Sequence, residues 1–235
     1  MYDKILAAIH DRWFDKVPKA AAAHLLEVME PHHKHLLDLG CGSGVLLELM
    51  QDKMHSLQGM DISNEMLALC RQKLPGGKFH QGDVLETAIP DSDMISMVGE
   101  ILSYAAARAD FNQQDLLVFF QRVFKALSPQ GLFVFDVLGT DHDYAASNYY
   151  DQDDFTLFSR VSQQGPLVSR EIVAFLKEEK GYSKSIEVHR LRAFDEKMLL
   201  QLLQQAGFQV KPLKQYHQQA LLPGRIGFEC RKIAE

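Results

Sequence analysis

The chain reads Leu36-Leu37-Asp38-Leu39-Gly40-Cys41-Gly42-Ser43-Gly44-Val45-Leu46-Leu47-Glu48-Leu49 where a short apolar run passes through a glycine-rich turn into a run with helical spacing. Glycine occupies three alternate positions of this turn. Because glycine has no side chain, it permits a tight turn and lets the backbone approach a ligand closely. The stretch therefore predicts a β-strand, a cofactor-binding turn and an α-helix.

The spacing of the glycines distinguishes two kinds of cofactor. A dinucleotide-binding turn has the pattern Gly-x-Gly-x-x-Gly, and the pyrophosphate lies on the N-terminus of the following helix. Here the third glycine, Gly44, comes one residue early, and Asp38 stands two residues before the first glycine. A carboxylate there would repel a pyrophosphate but would attract an ammonium group. The turn predicts a nucleoside that carries a positively charged amine.

The pattern acid-x-Gly-x-Gly-x-Gly at residues 38–44 resembles the first motif of the class I S-adenosylmethionine-dependent methyltransferases. The resemblance covers residues 35–138 and implies S-adenosylmethionine as the cofactor, with Asp38 contacting its methionyl amino group. It implies an α/β fold: a doubly wound, Rossmann-like, seven-stranded and mostly parallel sheet with N-terminal helices and a small inserted antiparallel sheet. The cofactor-binding residues that follow from it are Asp38, Gly40, Cys41, Gly42, Gly44, Asp61, Ile62, Asp83, Val84 and Glu100.

Three of these acidic residues each follow a predicted strand, where ligands bind in a doubly wound sheet. Asp61 could accept hydrogen bonds from both ribose hydroxyls; the alternative is a helix cap, although Ser63 could serve as that cap. Asp83 matches the family position that binds the adenine amino group, and its alternative is an aspartate that only forms a turn. Glu100 ends the fourth strand, near the expected meeting point of donor and acceptor, and is a candidate for both cofactor binding and catalysis.

Composition excludes several classes of protein. The chain has 235 residues, of which 46% are hydrophobic, and a net charge of -6, so it has no basic surface suited to nucleic acid. Its three cysteines lie far apart, which predicts neither a disulfide framework nor a zinc site. The N-terminus does not resemble a secretion signal, and no apolar run approaches the roughly 18 residues of a membrane helix. We expect a cytoplasmic protein with no membrane partner and no metal.

Hydrophobic periodicity divides the chain into four parts. Residues 1–34 are predicted to form a helical lid, 35–138 the S-adenosylmethionine-binding core, 139–194 an inserted antiparallel sheet over the acceptor site, and 195–235 a helix and the last two strands of the core. Within the core, strands are predicted at residues 35–39, 56–60, 77–80, 93–98 and 131–137, with a tight turn at 129–131. Residues 139–156 are predicted to be a surface loop or short helix, and two or three antiparallel strands follow them.

The inserted sheet is the place to search for a general base. Glu187, His189 and Leu191 alternate along one predicted strand and therefore share a face. An amine or hydroxyl acceptor must lose a proton before or during attack, which favours a histidine or a carboxylate nearby. Glu187 and His189 are thus candidate catalytic residues, and the alternative is a solvated face with charge pairs between strands. Tyr104 and Trp13 are candidates for an aromatic wall beside the donor's sulfur.

The order of motifs is also similar to that of amino-sugar N-methyltransferases and, more distantly, glycine N-methyltransferase. The fifth strand lacks the Asp-Asn pair that holds magnesium in catechol-type enzymes. We expect methyl transfer to nitrogen or oxygen of a small polar metabolite. Two alternatives are a regulatory protein that binds S-adenosylmethionine or S-adenosylhomocysteine without turnover, and a nucleotide-dependent oxidoreductase, which the glycine spacing disfavours. The acceptor and the oligomeric state stay open.

Overall fold

The computed structural model describes residues 2–233, and helices alternate with strands through most of them. The helices are α1 (Lys4–Trp13), α2 (Lys16–Val28), α3 (Val45–Met50), α4 (Asn64–Lys73), α5 (Ile101–Ala105), α6 (Gln113–Ala126) and α7 (Glu196–Gln205). The strands are β1 (His35–Leu39), β2 (Ser56–Asp61), β3 (Lys78–Gln81), β4 (Ser92–Met97), β5 (Leu127–Leu138), β6 (Ala146–Asp151), β7 (Phe155–Gln164), β8 (Leu167–Glu178), β9 (Gly181–Arg192), β10 (Phe208–Leu213), β11 (Gln215–Tyr216), β12 (Gln219–Ala220) and β13 (Arg225–Lys232).

Seven strands form the central sheet, in the order β10-β13-β5-β4-β1-β2-β3. Strands β1 to β5 pair in parallel, whereas β13 runs antiparallel to both of its neighbours. The predicted seven-stranded, mostly parallel α/β fold is confirmed. Because the strand order reverses between β1 and β4, a crevice opens at the carboxyl ends of these strands.

Helices cover both faces of this sheet, as the apolar pattern of its strands requires. On one face, Leu37 of β1 and Phe135 of β5 pack with α6 and α7; on the other, Leu36 packs with α2, α3 and α4. Leu36 and Leu37, which are neighbours on β1, therefore belong to different halves of the core. Helix α6 begins at a capping box, in which the Asn112 side chain accepts from the Asp115 amide and the Asp115 side chain accepts from the Asn112 amide.

A second sheet of four antiparallel strands, β6-β7-β8-β9, lies between β5 and α7 in the sequence. The sequence predicted two or three strands here, and the structure has four. The prediction of a loop or short helix is wrong at Ala146–Asp151, which forms an edge strand. All six residues of that strand are exposed, so it lacks the buried alternate positions that identify a strand in a sequence. Apolar residues of α1 pack on the inner face of β7 and β8 through Leu6, Ile9, Phe155 and Ile172.

The predicted turn before the fifth strand also differs in detail. Strand β5 begins at Leu127 rather than at residue 131, and it carries Gln130 with a φ of 63° inside its span. The turn conformation is thus present, but it interrupts a strand instead of preceding one. Among residues 2–233, no helix is both long enough and apolar enough to cross a membrane.

Candidate active site

The three glycines of the β1–α3 turn all adopt positive φ, at 75° for Gly40, 52° for Gly42 and 83° for Gly44. The amides of Gly40 and Cys41 donate to the carbonyl oxygen of Met60 at 2.7 and 3.0 Å, which ties the turn to β2. A Cβ atom on Gly40 would lie 2.4 Å from the Ile101 side chain. Only glycine fits there, and the backbone of the turn is consequently exposed to the crevice.

Asp38 is the next-to-last residue of β1, just before this turn, and is only 3% exposed. The hydroxyl of Ser96 donates a hydrogen bond of 2.7 Å to its carboxylate. Burial raises the pKa of Asp38 to about 7, although the Ser96 hydrogen bond opposes the shift. The donor to this buried carboxylate, the Ser96 hydroxyl, is neutral, so a positively charged partner would stabilise its ionised form. Asp38 therefore fits an ammonium group.

Asp61 ends β2, and its carboxylate accepts from two backbone amides, Gly42 at 2.9 Å and Ser63 at 2.8 Å. The alternative role as a helix cap is wrong, because Ser63 caps α4 and accepts from the Met66 amide. Burial raises the pKa of Asp61, and the amide hydrogen bonds oppose that rise. Two ionised oxygens offer about four lone-pair sites in total. The two amides thus hold the carboxylate in place, and its remaining lone pairs can accept hydrogen bonds from the two hydroxyls of a diol.

Asp83 lies in the turn after β3, and the alternative of a turn-forming aspartate fits its local contact, while adenine binding stays a prediction. Its Oδ1 accepts from the Leu85 amide at 2.8 Å, which is a turn contact. The residue also lines the same cavity as Asp61, together with Val84. A turn hydrogen bond and a position at the cavity are therefore compatible.

Glu100 occupies a buried and strained position directly after β4, with a φ of 69° and 4% exposure. Its carboxylate contacts two guanidinium groups: Arg225 at 2.7 Å and Arg170 at 3.3 Å. The amides of Gly99 and Glu100 each donate to the Asp136 carboxylate at 3.0 Å, and Arg225 also reaches that carboxylate at 3.4 Å. Two carboxylates and two guanidiniums thus form a charge-balanced buried cluster.

His189 and Glu187 lie on the inner face of β9 and are 4% and 8% exposed. The alternative of a solvated face is therefore wrong for these two residues. His189 Nε2 lies 2.7 Å from Glu187 Oε2, and His189 Nδ1 lies 3.2 Å from the Tyr104 hydroxyl oxygen. Burial alone would raise the pKa of Glu187, but hydrogen bonds from His189 and the Asp3 amide hold it below its usual range.

The N-terminal segment covers the cavity from the other side. The ring of Tyr2 packs edge-on against His189 with centroids 5.2 Å apart, and His10 stacks on Phe14 at 5.7 Å. Burial lowers the pKa of His10 to about 4, so its imidazole is neutral near pH 7. The hydroxyl of Ser63 donates to the Tyr2 carbonyl at 3.0 Å, which fastens the segment beside Asp61.

These elements enclose a cavity of about 920 Å³. It is large enough for two ligands of metabolite size, since ligand pockets run from about 300 to 1,000 Å³. Most of the predicted site residues line it: Asp38, Gly40, Cys41, Gly42, Asp61, Ile62, Asp83, Val84, Glu100 and His189. Gly44 and Glu187 do not line it. Tyr104 also lines it, but Trp13 does not and packs on Phe155 instead, with ring centroids 4.5 Å apart.

Sequence reasoning missed Arg170, Arg225 and Tyr2. Arg170 pairs directly with His189 in the register of β8 and β9, so both side chains point to the same face. A sequence pattern shows which residues alternate, but it does not give the register that places one opposite the other. Arg225 begins β13 opposite Leu138, close to Asp136. The sequence signal that could have pointed to Arg225 was its position as a charged residue at the start of a buried strand.

Comparisons with known proteins agree with this geometry. Residues 36–131 match a family model described as a methyltransferase domain. The chain is 26% identical over 215 residues to the Bacillus subtilis (strain 168) protein named as methyltransferase YqeM, covering 87% of this chain and 85% of that protein. A solved structure, an S-adenosylmethionine-dependent methyltransferase from Clostridium acetobutylicum ATCC 824, has a similar fold: the TM-score is 0.82 at 22% identity over 97% of this chain and 98% of the other.

Two further relatives match smaller parts. Trans-aconitate 2-methyltransferase of Acidovorax sp. (strain JS42) is 29% identical over 127 residues, or 53% of this chain and 46% of that protein. The dTDP-3-amino-3,6-dideoxy-alpha-D-glucopyranose N,N-dimethyltransferase of Streptomyces fradiae is 31% identical over 70 residues, or 30% of this chain and 28% of that protein. The first is named for a carboxylate substrate and the second for an amine.

Proposed function

We propose that this chain, whose residues 36–131 match a methyltransferase domain, is a class I S-adenosylmethionine-dependent methyltransferase that methylates nitrogen or oxygen of a small polar metabolite. The observation that carries this proposal is the division of one cavity into two chemically different ends. Asp38 and Asp61 line it near the carboxyl ends of β1 and β2, here called the donor end, and Tyr104, Arg170 and His189 line it from α5 and the second sheet, here called the acceptor end. The first end suits an aminoacyl nucleoside, and the second suits a polar acceptor.

The relatives named for small substrates support the same size class, because trans-aconitate and an amino sugar nucleotide are both metabolites. The net charge of -6 supports it as well, since a nucleic-acid substrate requires a basic surface. We further propose that residues 1–34 act as the lid of the site and residues 139–194 as the wall of the acceptor end. In that arrangement, residues 195–235 complete the core and supply Arg225.

The proposed roles at the donor end follow from the hydrogen-bonding capacity of each side chain. Asp38 would bind the methionyl ammonium, Asp61 the ribose hydroxyls, and Asp83 with Val84 the adenine edge. The backbone at Gly40, Cys41, Gly42 and Ile62 would line the nucleoside, and Gly44 would shape the turn. Bound S-adenosylmethionine supplies a methyl group on positively charged sulfur, so the methyl carbon is already activated.

At the acceptor end, most of the rate enhancement is expected from alignment of the two ligands, which can supply about 7–11 kcal/mol. Glu100 points its carboxylate at two guanidiniums, so its charge is compensated locally. An uncompensated carboxylate beside sulfur would stabilise the positive charge before transfer and would slow the reaction. We assign Glu100 to positioning the arginines rather than to removing a proton.

Isothermal titration calorimetry tests the proposal directly. S-adenosylhomocysteine is expected to bind in the micromolar range, and NAD is expected not to bind, because the turn lacks the dinucleotide spacing. Binding of neither compound would overturn the assignment of the cavity. Binding of NAD in preference to S-adenosylhomocysteine would favour an oxidoreductase.

Affinity for S-adenosylhomocysteine is expected to increase about tenfold between pH 6 and pH 8, as the Asp38 carboxyl ionises. With its pKa raised to about 7, Asp38 is mostly protonated at pH 6 and cannot pair with an ammonium group. The raised pKa also means that the ligand-free protein loses stability as the pH rises from about 4, the ordinary pKa of an aspartate, to about 7. Calorimetry across this range measures the affinity.

Asp38→Asn is the matched control for this pH profile. Its affinity is expected to be low and nearly independent of pH, because no carboxyl group ionises at that position. A parent protein whose affinity stays flat from pH 6 to pH 8 would show that Asp38 does not bind the amine.

A further inference from the structure

We propose that two copies of the chain form a symmetric dimer through the outer face of the second sheet, which is the face that points away from the cavity. The outer face is centred on Tyr149 of β6, Phe158 of β7, Val173 of β8 and Ile186 of β9. The inference goes beyond the proposed function and does not depend on it. Three observations carry it: a continuous apolar row, the order of charges beside that row, and the size of the face.

Four apolar side chains form one row across the outer face. The strand register places them in a line, in the order Tyr149, Phe158, Val173 and Ile186. The ring centroids of Tyr149 and Phe158 lie 4.8 Å apart, so the row is continuous there. Tyr149, Phe158 and Ile186 are 58%, 47% and 64% exposed. Single exposed apolar side chains are common, but a contiguous group that spans a sheet is typical of an interface.

The inner face of the same sheet shows what the outer face lacks. Leu157 and Ile172 are the chain neighbours of Phe158 and Val173, and both are buried with apolar residues of α1. Successive side chains of a strand point to opposite faces, so each strand has one covered and one exposed side. A sheet with an apolar face is normally covered by a second layer. Within residues 2–233 the outer row stays exposed, and a second copy would supply that layer.

The row on one side of the apolar row has an acidic residue at one end and a basic residue at the other. It crosses the four strands in the order Asp151, Thr156, Phe175 and Lys184. The Thr156 hydroxyl donates to Asp151 at 2.8 Å, so these two side chains share the outer face. The Lys184 ammonium lies 5.6 Å from the centroid of the Phe175 ring on the same face.

Asp151 and Lys184 lie on the two edge strands of the sheet. Three strand spacings put them about 14 Å apart, so they do not pair within one chain. A two-fold axis that runs parallel to the strands, between β7 and β8, exchanges the two edges of the sheet. Asp151 of one copy would then face Lys184 of the other, and the contact would occur twice in the dimer.

The row on the other side of the apolar row follows the same symmetry. It runs in the order Ser147, Arg160, Glu171 and Val188. The two charged residues lie on the central strands, and the same axis places Arg160 of one copy against Glu171 of the other. A two-fold axis perpendicular to the strands would instead place Glu171 against Phe175. Charge complementarity therefore favours the axis parallel to the strands.

The size of the outer face suits a dimer of modest affinity. Four strands about 4.8 Å apart, with ten residues at about 3.4 Å in the longer ones, give a projected area of about 600 Å². A standard interface buries about 800 Å² on each partner. Two twisted sheets can pack in this way at about 30° to each other. We therefore expect a dissociation constant in the micromolar range.

The dimer would also support the strand β6, all six residues of which are exposed in one copy. Tyr150 points to the opposite face from Tyr149, lines the cavity and packs edge-on against Phe14 with ring centroids 5.7 Å apart. Contact of Tyr149 with a second copy would thus hold in place a strand whose other face closes the cavity.

Sedimentation velocity of the full chain tests the dimer across a concentration series that spans the micromolar range. The parent is expected to change from monomer to dimer. Ile186→Glu should weaken dimerisation by about 100-fold or more, because it places a carboxylate in the apolar row of both copies. Ile186 does not line the cavity, so the affinity of this variant for S-adenosylhomocysteine should equal that of the parent.

Val118→Glu is the matched control. Val118 is an apolar residue of α6 with 44% exposure, and α6 packs on the first sheet. The same change of an exposed β-branched side chain to glutamate should leave dimerisation unchanged at this position.

A charge exchange tests the axis. Asp151→Lys and Lys184→Asp are each expected to weaken dimerisation by about tenfold, because two attractive contacts become repulsive in each dimer. The double variant should regain the parental dissociation constant, since its charges are again opposite across the axis. Within one chain the two residues are too far apart for such a rescue.

Three results would contradict the proposal. A parent that stays monomeric across the series would overturn it. A dimer that Ile186→Glu leaves intact would show that the copies associate through another surface, such as the exposed edge of β6. A double variant as weak as the two single variants would overturn the two-fold arrangement. Loss of S-adenosylhomocysteine binding by the parent would contradict the proposed function and not the dimer.

Discussion

Asp61→Ala is expected to weaken S-adenosylhomocysteine binding by about 100-fold or more, because two charge-assisted hydrogen bonds to the ribose would be lost at about 1.5–3 kcal/mol each. The Asp61 carboxylate is held by the amides of Gly42 and Ser63 at 2.9 and 2.8 Å. Its orientation is therefore set before a ligand arrives, and little entropy is lost on binding. Calorimetry at pH 8 measures the change.

The matched control for this prediction is Asp52→Ala. Asp52 is exposed in the turn before β2 and does not line the cavity. Its replacement should leave the dissociation constant unchanged. Because Asp61→Ala also removes two contacts to the turn, thermal unfolding of the ligand-free variant must be compared with that of the parent. A folded variant with parental affinity would rule out the ribose assignment.

Glu100→Gln is expected to lower the free energy of unfolding by about 3–5 kcal/mol, because it leaves two buried guanidiniums with too little negative charge. Glu100 contacts Arg225 at 2.7 Å and Arg170 at 3.3 Å, and the side chains of these arginines are only 10% and 27% exposed. After the substitution, Asp136 is the remaining carboxylate of the cluster. Urea denaturation of the ligand-free protein measures the loss.

Glu86→Gln provides the control for a broken ion pair. Glu86 pairs with Arg108 at 3.0 Å, but its side chain is 69% exposed, so water compensates for the lost contact. Stability should hardly change. If Glu100→Gln instead unfolds like the parent and loses only turnover, then Glu100 takes part in the reaction itself.

The positions of the core strands and the turn could be predicted because both depend on short-range patterns. Alternating apolar residues identify buried strands, and three glycines at alternate positions identify the turn at residues 40–44. The prediction failed at Ala146–Asp151, where every residue is exposed. A strand with no buried face has no periodic signal, and its pairing with β7 through backbone hydrogen bonds is what holds it in the sheet.

At the site, the residues of the donor end could be predicted from short-range patterns, whereas the contacts at the acceptor end could not. Asp38 and Asp61 lie near the ends of single strands, so each could be located from the few residues around it. His189 could be named as a candidate, but its partners could not. Tyr104 lies 85 residues away from it in the chain, and Arg170 faces it only because β8 and β9 pair in one register.

The sequence by itself determined the α/β architecture, the glycine turn and the acidic residues beside it, since local spacing and strand ends carry that information. Only the tertiary structure decided that Glu100 is held by two arginines and that His189 has Tyr104 and Glu187 on its two nitrogens. Those contacts join segments that are far apart in the chain, and their geometry arises from strand register and from the packing of the second sheet over the first.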